Sequence, residues 1–468
     1  MTLSRLQAAL LLCCVVSAPC AAGEKEDRLA DAVRNRDHDG VKHWLAAGAN
    51  MNAPLADLSR PLGWAIQRQD GESIRLLLAA GADPNAADVY GNPLLAATCD
   101  SGNEDAVRQL VAKGADPRAS RRDGITALSL CAGNSTPATI ALLADKGADV
   151  NAADAKGQTP LMRAAAAGNI GTMQALIVLG AKVNAATPDG ATPLFFALQS
   201  RDPQAPDLLL QAGADTRVPM PDGTTVVAAA LDVRDLDFAA TVIRRGADLT
   251  HRDKDGYQVI HLLAAGGYPG LVKLALSKGA DVSSLTAPPP ESRPARNPPP
   301  AGQAPKHGGN AVGKGKGVVT ADLIAAPPPA PRSPLLLAAT AGSVETMKVL
   351  IAAGADPKAK APDGMTLLLA AASSGDLPAV QFALEAGLDL NATTLDGRGV
   401  LYIAVRSGNP VGAEAVLQYL ADKGARLDAR DNRGVSPADI VNRVGPENLR
   451  AVYNRLLQEH GFDLAAIR

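Results

Sequence analysis

Gly147-Ala148-Asp149-Val150-Asn151-Ala152-Ala153 is followed by a turn at Lys156-Gly157, by Thr159-Pro160-Leu161 opening a helix that runs through Ala164 to Ala167, and by a break at Gly168-Asn169. A second helix then carries Met173, Leu176 and Ile177 at i, i+3, i+4 spacing, which predicts one buried apolar stripe. It stops at Gly180, where Gly-Ala begins the pattern again, 33 residues after Gly147. Gly147 and Gly180 stand where a helix ends on a left-handed residue, a conformation glycine adopts without a Cβ penalty. Thr159 offers an N-cap oxygen, and Pro160 fits the first helical position, where a missing N–H costs nothing. Two helices this short cannot bury their faces alone, so the pattern implies stacked copies.

The rest of the chain keeps this period. Gly48, Gly81, Gly114, Gly147, Gly180, Gly213, Gly246 and Gly279 follow one another at steps of 33. A second series runs ten residues behind, through Gly91, Gly124, Gly157, Gly190, Gly223, Gly256, Gly364, Gly397 and Gly434, and three of these read Pro-Asp-Gly, a tight-turn signal. The first series jumps by 75 from Gly279 to Gly354, resumes at 33 to Gly387, then takes two steps of 37 to Gly424 and Gly461. Four extra residues are about one helical turn, which keeps the helix face in phase, and Gly408-Asn409-Pro410 places the first such turn in the second helix of its pair. Where Gly168 separates the paired helices, Gly102, Gly267, Gly342, Gly375 and Gly408 do the same, whereas Gln69, Arg201 and Arg234 occupy that place elsewhere. Left-handed backbone is costly for such residues, so those repeats are expected to bend differently or be looser. Arg163 replaces an apolar residue of its helix and is expected to pack its stem and send its head to water.

The excess of 42 residues lies between about Ser284 and Arg332, where a hairpin tip belongs. Twelve prolines there, including Pro288-Pro289-Pro290, Pro298-Pro299-Pro300 and Pro327-Pro328-Pro329, predict a disordered segment with polyproline-II stretches. Arg293, Arg296, Lys306, Lys314, Lys316 and Arg332 outnumber Glu291 and Asp322, making a basic arm on an acidic body. Gly308 to Lys314 imitates a phosphate-binding loop, but Gly315 stands where Ser or Thr is required, and neither strand nor helix flanks it, so nucleotide binding is not expected. The mildly apolar Val318-Val319 and Leu323-Ile324 sit in what reads as flexible linker.

At the N-terminus, Arg5 precedes the apolar run Leu6 to Ala18, then small residues lead to the charged Glu24-Lys25-Glu26-Asp27. This reads as a secretory signal peptide over residues 1–22, cleaved after Ala22; a lipoprotein at Cys20 is disfavoured because Pro19 precedes it. No other segment is long and apolar enough to span a membrane. The expected location is therefore exported, periplasmic by preference and secreted as the alternative. Cys99 and Cys131 remain after cleavage, at near-equivalent places in neighbouring repeats. An oxidising compartment permits a disulfide, but helices about 8–10 Å apart favour two buried thiols, since a disulfide needs Cα atoms within about 7 Å.

The repeat resembles the ankyrin repeat, whose pattern Asp-x-x-Gly-x-Thr-Pro-Leu-His, a short break, an apolar helix and Gly-Ala-Asp-x-Asn-Ala is matched closely at 123–128, 156–161, 189–194 and 333–339. The family's His after Thr-Pro-Leu appears once, as His261, and the resemblance implies that it ties the helix start. Leu29 to Asn52 lacks the Thr-Pro opening, and Val435 to Leu464 carries Arg450, Arg455 and Glu459 on its outer helix, as capping repeats facing water would. The expected fold is all-α with short β-hairpin fingers, an ankyrin-repeat solenoid of about twelve repeats, roughly 100 Å or more along the stack. Repeats 1–8 span 23–283, the proline-rich insertion 284–332, and repeats 9–12 span 333–468.

A formal charge of −2 argues against general nucleic-acid binding. The six histidines are scattered without metal-ligand spacing, no Gly-x-Ser-x-Gly elbow is present, and the many Asp residues sit at turns, so neither enzymatic activity nor a cofactor is expected. The resemblance implies a monomer that binds a protein partner with its hairpin tips and the adjoining face of the first helices. Tyr90 and Met220 are the exposed apolar candidates, Arg118, Arg121 and Arg122 a basic cluster, and Lys156, Arg252 and Lys254 further tip residues. The expected function is that of an exported, non-catalytic scaffold; the alternative is a secreted effector or toxin-neutralising protein.

Overall fold

Thr159 caps the helix Pro160–Ala167 by accepting from the Met162 N–H at 3.4 Å, with Pro160 at its first position. This geometry comes from a computed structural model that describes residues 23–200, 202–286, 330–443 and 445–462. Residues 1–22, where a signal peptide is expected, Arg201, the insertion from 287 to 329 with its glycine-rich and apolar stretches, Val444, and the last residues from 463 lie outside the described residues.

Gly168 ends that helix at φ 66°, and Asn169 caps the next, Ile170–Val178, by accepting from Thr172 N–H. Met173 and Leu176 are fully buried, whereas Ile177 is only half-buried and Val178 stands exposed, so the stripe is narrower than its spacing suggested. The same cap serves other helix starts: Thr126, Thr225, Ser333 and Thr366 open first helices, and Asp70, Asn103, Asp235 and Asp376 open second helices. The described residues contain α-helices and no sheet. Gln69 and Arg234 adopt φ 54° and 59°, so they hold the glycine-like break without a change of plan. The hydrogen bonds Asp70 N–H to Ala65 O and Asp235 N–H to Ala230 O, each 2.9 Å, close behind the break and hold it there. The two steps of 37 appear as longer second helices, Pro410–Asp422 and Glu447–Glu459, of 13 residues each.

The chain divides into two compact units, Met1–Asp215 and Thr216–Arg468. In the first, Leu94–Asp100, Ala127–Asn134, Pro160–Ala167 and Pro193–Leu198 pack in succession as one layer of first helices, and the second helices pack in a parallel succession. In the second unit, Val259–Ala265, Pro334–Thr340, Leu367–Ser374 and Val400–Ala404 do the same, so the helix stacking continues past the insertion. Its last helix anchors through Tyr453, wholly buried, whose hydroxyl donates to Leu427 O at 2.8 Å.

Asparagines of the Gly-Ala-Asp-x-Asn pattern lace the first unit together. Asn52, Asn85, Asn151 and Asn184 donate to the carbonyls of Gly81, Gly114, Gly180 and Gly213 at 3.0–3.2 Å. Each accepts in return from the backbone N–H two residues beyond that glycine, at 2.7–2.8 Å. One amide thus satisfies a helix-end carbonyl and a turn N–H of the following repeat.

Cys99 and Cys131 form a disulfide, not two thiols, with Cα atoms 4.4 Å apart and both residues fully buried. Axis spacing does not measure how close two facing residues come. A Cα lies about 2.3 Å off its axis, so two residues on facing sides approach within bonding range even when the axes are about 8–10 Å apart. Arg163 also departs from expectation: its Nη2 reaches the Asp154 carboxylate at 2.9 Å, and the Asp154 side chain is 3% exposed. Burial raises the Asp154 pKa, but hydrogen bonds from Gln158 N–H, the Arg163 guanidinium and Lys156 N–H outweigh it and hold the carboxyl below its ordinary value.

Candidate binding surface

Most fingers close between a residue and its partner four positions on. Thr187 N–H donates to Ala191 O at 3.0 Å, and Asp253 N–H to Tyr257 O at 2.9 Å. Strand pairing is confined to two isolated bridges among the described residues, Ala87 with Pro93 and Ser120 with Thr126, so these fingers are tight turns. Successive fingers touch through the backbone: Ala155 N–H donates to Asp123 O in the first unit, and Lys254 N–H to Asp222 O in the second. Gly223 is required twice over, by φ 83° and because a Cβ there would meet Asp253 Cα at 2.5 Å.

The eight candidate residues differ in what they are free to do. Tyr90 is 73% exposed, its N–H held by Asp88 Oδ1 at 2.9 Å, so the finger presents the ring to solvent. Arg122 is exposed, and its guanidinium lies against Gly91, where an added Cβ would come within 3.1 Å of Nη2. These two therefore share one surface. Arg121 is half-buried beside them. Arg118 takes the asparagine position of the ladder, and its Nε donates to Gly147 O at 3.2 Å, which gives it a role within the fold. Lys156 is exposed next to the buried Asp154. In the second unit, Arg252 Nη1 donates to both Gly256 O and Leu285 O, at 2.8 and 2.7 Å, and so joins its finger to the next. Lys254 is exposed, while Met220 is half-buried, its N–H closing its own finger on Thr224 O. Leu58 and Val89 in the first unit, and Val218, Leu285 and Leu395 in the second, are exposed apolar residues on the segments between helix pairs. An apolar residue inside a polar turn was the signal that could have found them.

The first unit also carries a groove of about 450 Å³ across its first helices. Leu130, Arg163 and Phe196, 33 residues apart, form one row, and Gly133, Ala166 and Gln199 the next. Gly133, Ala166 and Ala167 add no side chain beyond Cβ to its lining. Ser129 and Arg163 are among its lining residues, and their Oγ and Nε are themselves buried without a hydrogen-bond partner. His261, in the second unit, occupies the place in its helix that Ser129 has here. It is fully buried, its Nδ1 accepting from Gln258 N–H and its Nε2–H donating to Ser284 O, both at 3.1 Å. Serine is too short for such a tie. No group of three or more His, Cys, Asp or Glu suited to a metal ion occurs among the described residues, and no helix there is long and apolar enough to cross a membrane.

Paired short helices, glycine-ended, laced by asparagines and joined by projecting turns, define a helical repeat protein of the solenoid class. The family model of ankyrin repeats (3 copies) matches residues 29–121, 94–187, 128–220 and 335–431, more than half of the chain, and the protein belongs to the ankyrin-repeat family. No curated protein matches it. Ankyrin repeats are generally protein–protein interaction modules, and proteins built from them are typically non-catalytic scaffolds.

Proposed function

We propose that this protein is an exported, non-catalytic ankyrin scaffold that binds a protein partner through its finger tips and the face of its first helices. The observation that carries the reading is the set of exposed apolar side chains on turns whose backbones are internally satisfied, with Tyr90 at 73% exposure beside Arg122. Aromatic and arginine side chains are the types that concentrate binding energy at interfaces. Export, to the periplasm by preference, is supported by the apolar run after Arg5 and by the buried Cys99–Cys131 disulfide, since such bonds persist in oxidising compartments. In this reading the chain works as a monomer without nucleic acid. Its helices pair as about twelve repeats, 1–8 within 23–283 and 9–12 within 333–468, around the insertion 284–332. Crosslinking in the native compartment followed by capture of the chain tests the proposal: a defined protein lost on Tyr90→Ala supports it, and recovery of lipid or wall fragments alone overturns it. N-terminal sequencing of the mature chain should begin at Gly23.

A further inference from the structure

We propose that a small pocket at Gly399, in the second unit, is a seat for one neutral carboxamide group, supplied by a glutamine or asparagine side chain of the partner. The inference rests on the protein-binding reading above for the source of that group; the seat itself is read from the chain's own repeats. From Arg60 to Thr366 the residue that caps each first helix carries a side chain, whereas Val400–Ala404 is capped by Gly399. Two of the longer caps show what the space takes. Arg60 Nε donates to Asn52 O and its Nη1 to Ala87 O, both at 3.3 Å. Gln258 Nε2 donates to Thr250 O at 2.8 Å. Asn52 and Thr250 each stand eight positions before the cap and four after a glycine, and Ala87 stands six after the next glycine. Counted in the same way, the corresponding carbonyls at Gly399 belong to Asn391 and Arg430, and both residues line a pocket of about 170 Å³ there. The backbone does not demand a glycine: φ is −87° and ψ 179°, and a Cβ would meet only Thr393 Cγ2, at 4.0 Å. The missing side chain therefore leaves room and relieves no strain.

Charge selects among the groups that could enter. Arg426 and Arg430 line the pocket, and their own contacts, Arg426 Nε with Asp428 at 3.7 Å and Arg430 Nη1 with Gly434 O and Asp439, leave other N–H groups of both guanidiniums for a ligand oxygen. These two charges repel a cation in the manner of Arg60, and a carboxylate has no hydrogen to give the two carbonyls. A carboxamide is neutral, donates through its NH2 as Gln258 does, and accepts through its oxygen. Leu390 and Leu401 offer its methylene stem an apolar wall. The volume lies below the about 300–1,000 Å³ of small-molecule sites, which suits a single side chain.

The test measures, by saturation-transfer NMR on the full chain, the affinity of acetyl-Ala-Gln-Ala amide and of its Glu, Lys and Leu counterparts, in which only the central side chain differs. The glutamine peptide should bind about three- to tenfold more tightly than each counterpart, the worth of about one hydrogen bond. Gly399→Gln should abolish that preference, because the chain then fills the pocket with its own amide, and Gly399→Ala, which adds a Cβ in open space, should preserve it. Neither variant should lower the urea midpoint, and a lowered midpoint for Gly399→Gln would overturn the fit of an amide there. Displacement of the glutamine peptide by propionamide would support the seat and widen its source to a free amide; no displacement would support a partner segment as the source. Equal affinities, a preference for the Glu peptide, a preference that survives Gly399→Gln, or no binding at all, as a pocket holding water only would give, would each overturn the seat. Capture of a protein partner alongside any of these results leaves the scaffold reading in place.

Discussion

Thr286 and Arg332, 46 positions apart, close a finger with two hydrogen bonds: Thr286 N–H donates to Arg332 O at 2.9 Å, and Arg332 N–H to Thr286 Oγ1 at 2.8 Å. Asp253 and Tyr257 make the same pair across four positions, the return bond running to Asp253 Oδ1. The 45 residues between Thr286 and Arg332 thus stand where other fingers have three, and the difference is the 42 by which the glycine period jumps. Arg332 then fastens the finger to the next repeat through two hydrogen bonds to Asp363, at 3.0 and 2.7 Å.

Replacing residues 287–331 by Pro-Asp-Gly should therefore leave the fold intact. Closing a shorter loop costs less chain entropy, by up to about 2 kcal/mol for this change in length. The urea midpoint of the shortened chain should equal or exceed that of the full chain; a large drop would show that the insertion contributes contacts to the fold. Arg332→Ala, by contrast, should lower the midpoint in both backgrounds.

The Cys99–Cys131 disulfide ties Leu94–Asp100 to Ala127–Asn134, two helices that line the groove. Replacing both cysteines by alanine should cost about 2–4 kcal/mol in chemical denaturation. A thiol reagent added to the denatured, unreduced chain beginning at Gly23 should find no free thiol, since Cys99 and Cys131 are the only cysteines left. Stoichiometric labelling of two thiols would restore the buried-thiol expectation.

The fold was legible because its devices are local: a glycine at a helix end, Thr-Pro at a helix start and Asp-Gly in a turn each act within a few residues and recur every 33. The groove was not, because it depends on what stands side by side across repeats. Ser129 reads as an ordinary helical residue until His261, in the equivalent place, shows what a longer side chain does there. Arg163 looked like a surface-seeking arginine because its partner, Asp154, is a turn residue nine positions back whose burial no spacing reveals. The disulfide is hidden from the sequence for a similar reason, since helix axes about 8–10 Å apart still bring facing Cα atoms within bonding range.

Asn151 and Arg118 make a graded pair. Asn151→Ala removes a donor to Gly180 O and an acceptor for Lys182 N–H, and at about 0.5–1.5 kcal/mol per bond should cost about 1–3 kcal/mol. Arg118→Ala removes only the donor to Gly147 O and should cost about half as much. Equal effects would show that the ladder acts otherwise than by counted hydrogen bonds.

Leu176→Ala, at a fully buried position, should cost about 2–5 kcal/mol through the lost transfer energy and the cavity left behind. Ile177→Ala, half-buried, should cost clearly less, and equal denaturation midpoints for the two variants would contradict the narrow stripe.

Stability should fall with acid in two stages. Burial holds the His261 imidazole below its ordinary pKa of 6.5, and both ring nitrogens are committed in the neutral form, Nε2–H to Ser284 O and Nδ1 to Gln258 N–H. As pH drops through 6.5 the unfolded chain takes a proton that the folded chain refuses, so stability declines until the folded imidazole itself titrates, by about 1.4 kcal/mol for each unit separating the two values. Asp154 and Asp363 behave in the same sense at lower pH. Burial raises both, but for Asp154 the Gln158 N–H and Arg163, and for Asp363 the Arg332 guanidinium, outweigh it and hold each below 3.8. Their contribution is whole above that value and is lost as pH falls through the folded pKa. Urea midpoints measured from pH 8 downward should thus be level, decline first below about 6.5 and again below about 4. His261→Gln should reduce the first decline while leaving the second in place, and an unchanged first decline would remove the buried imidazole from the account.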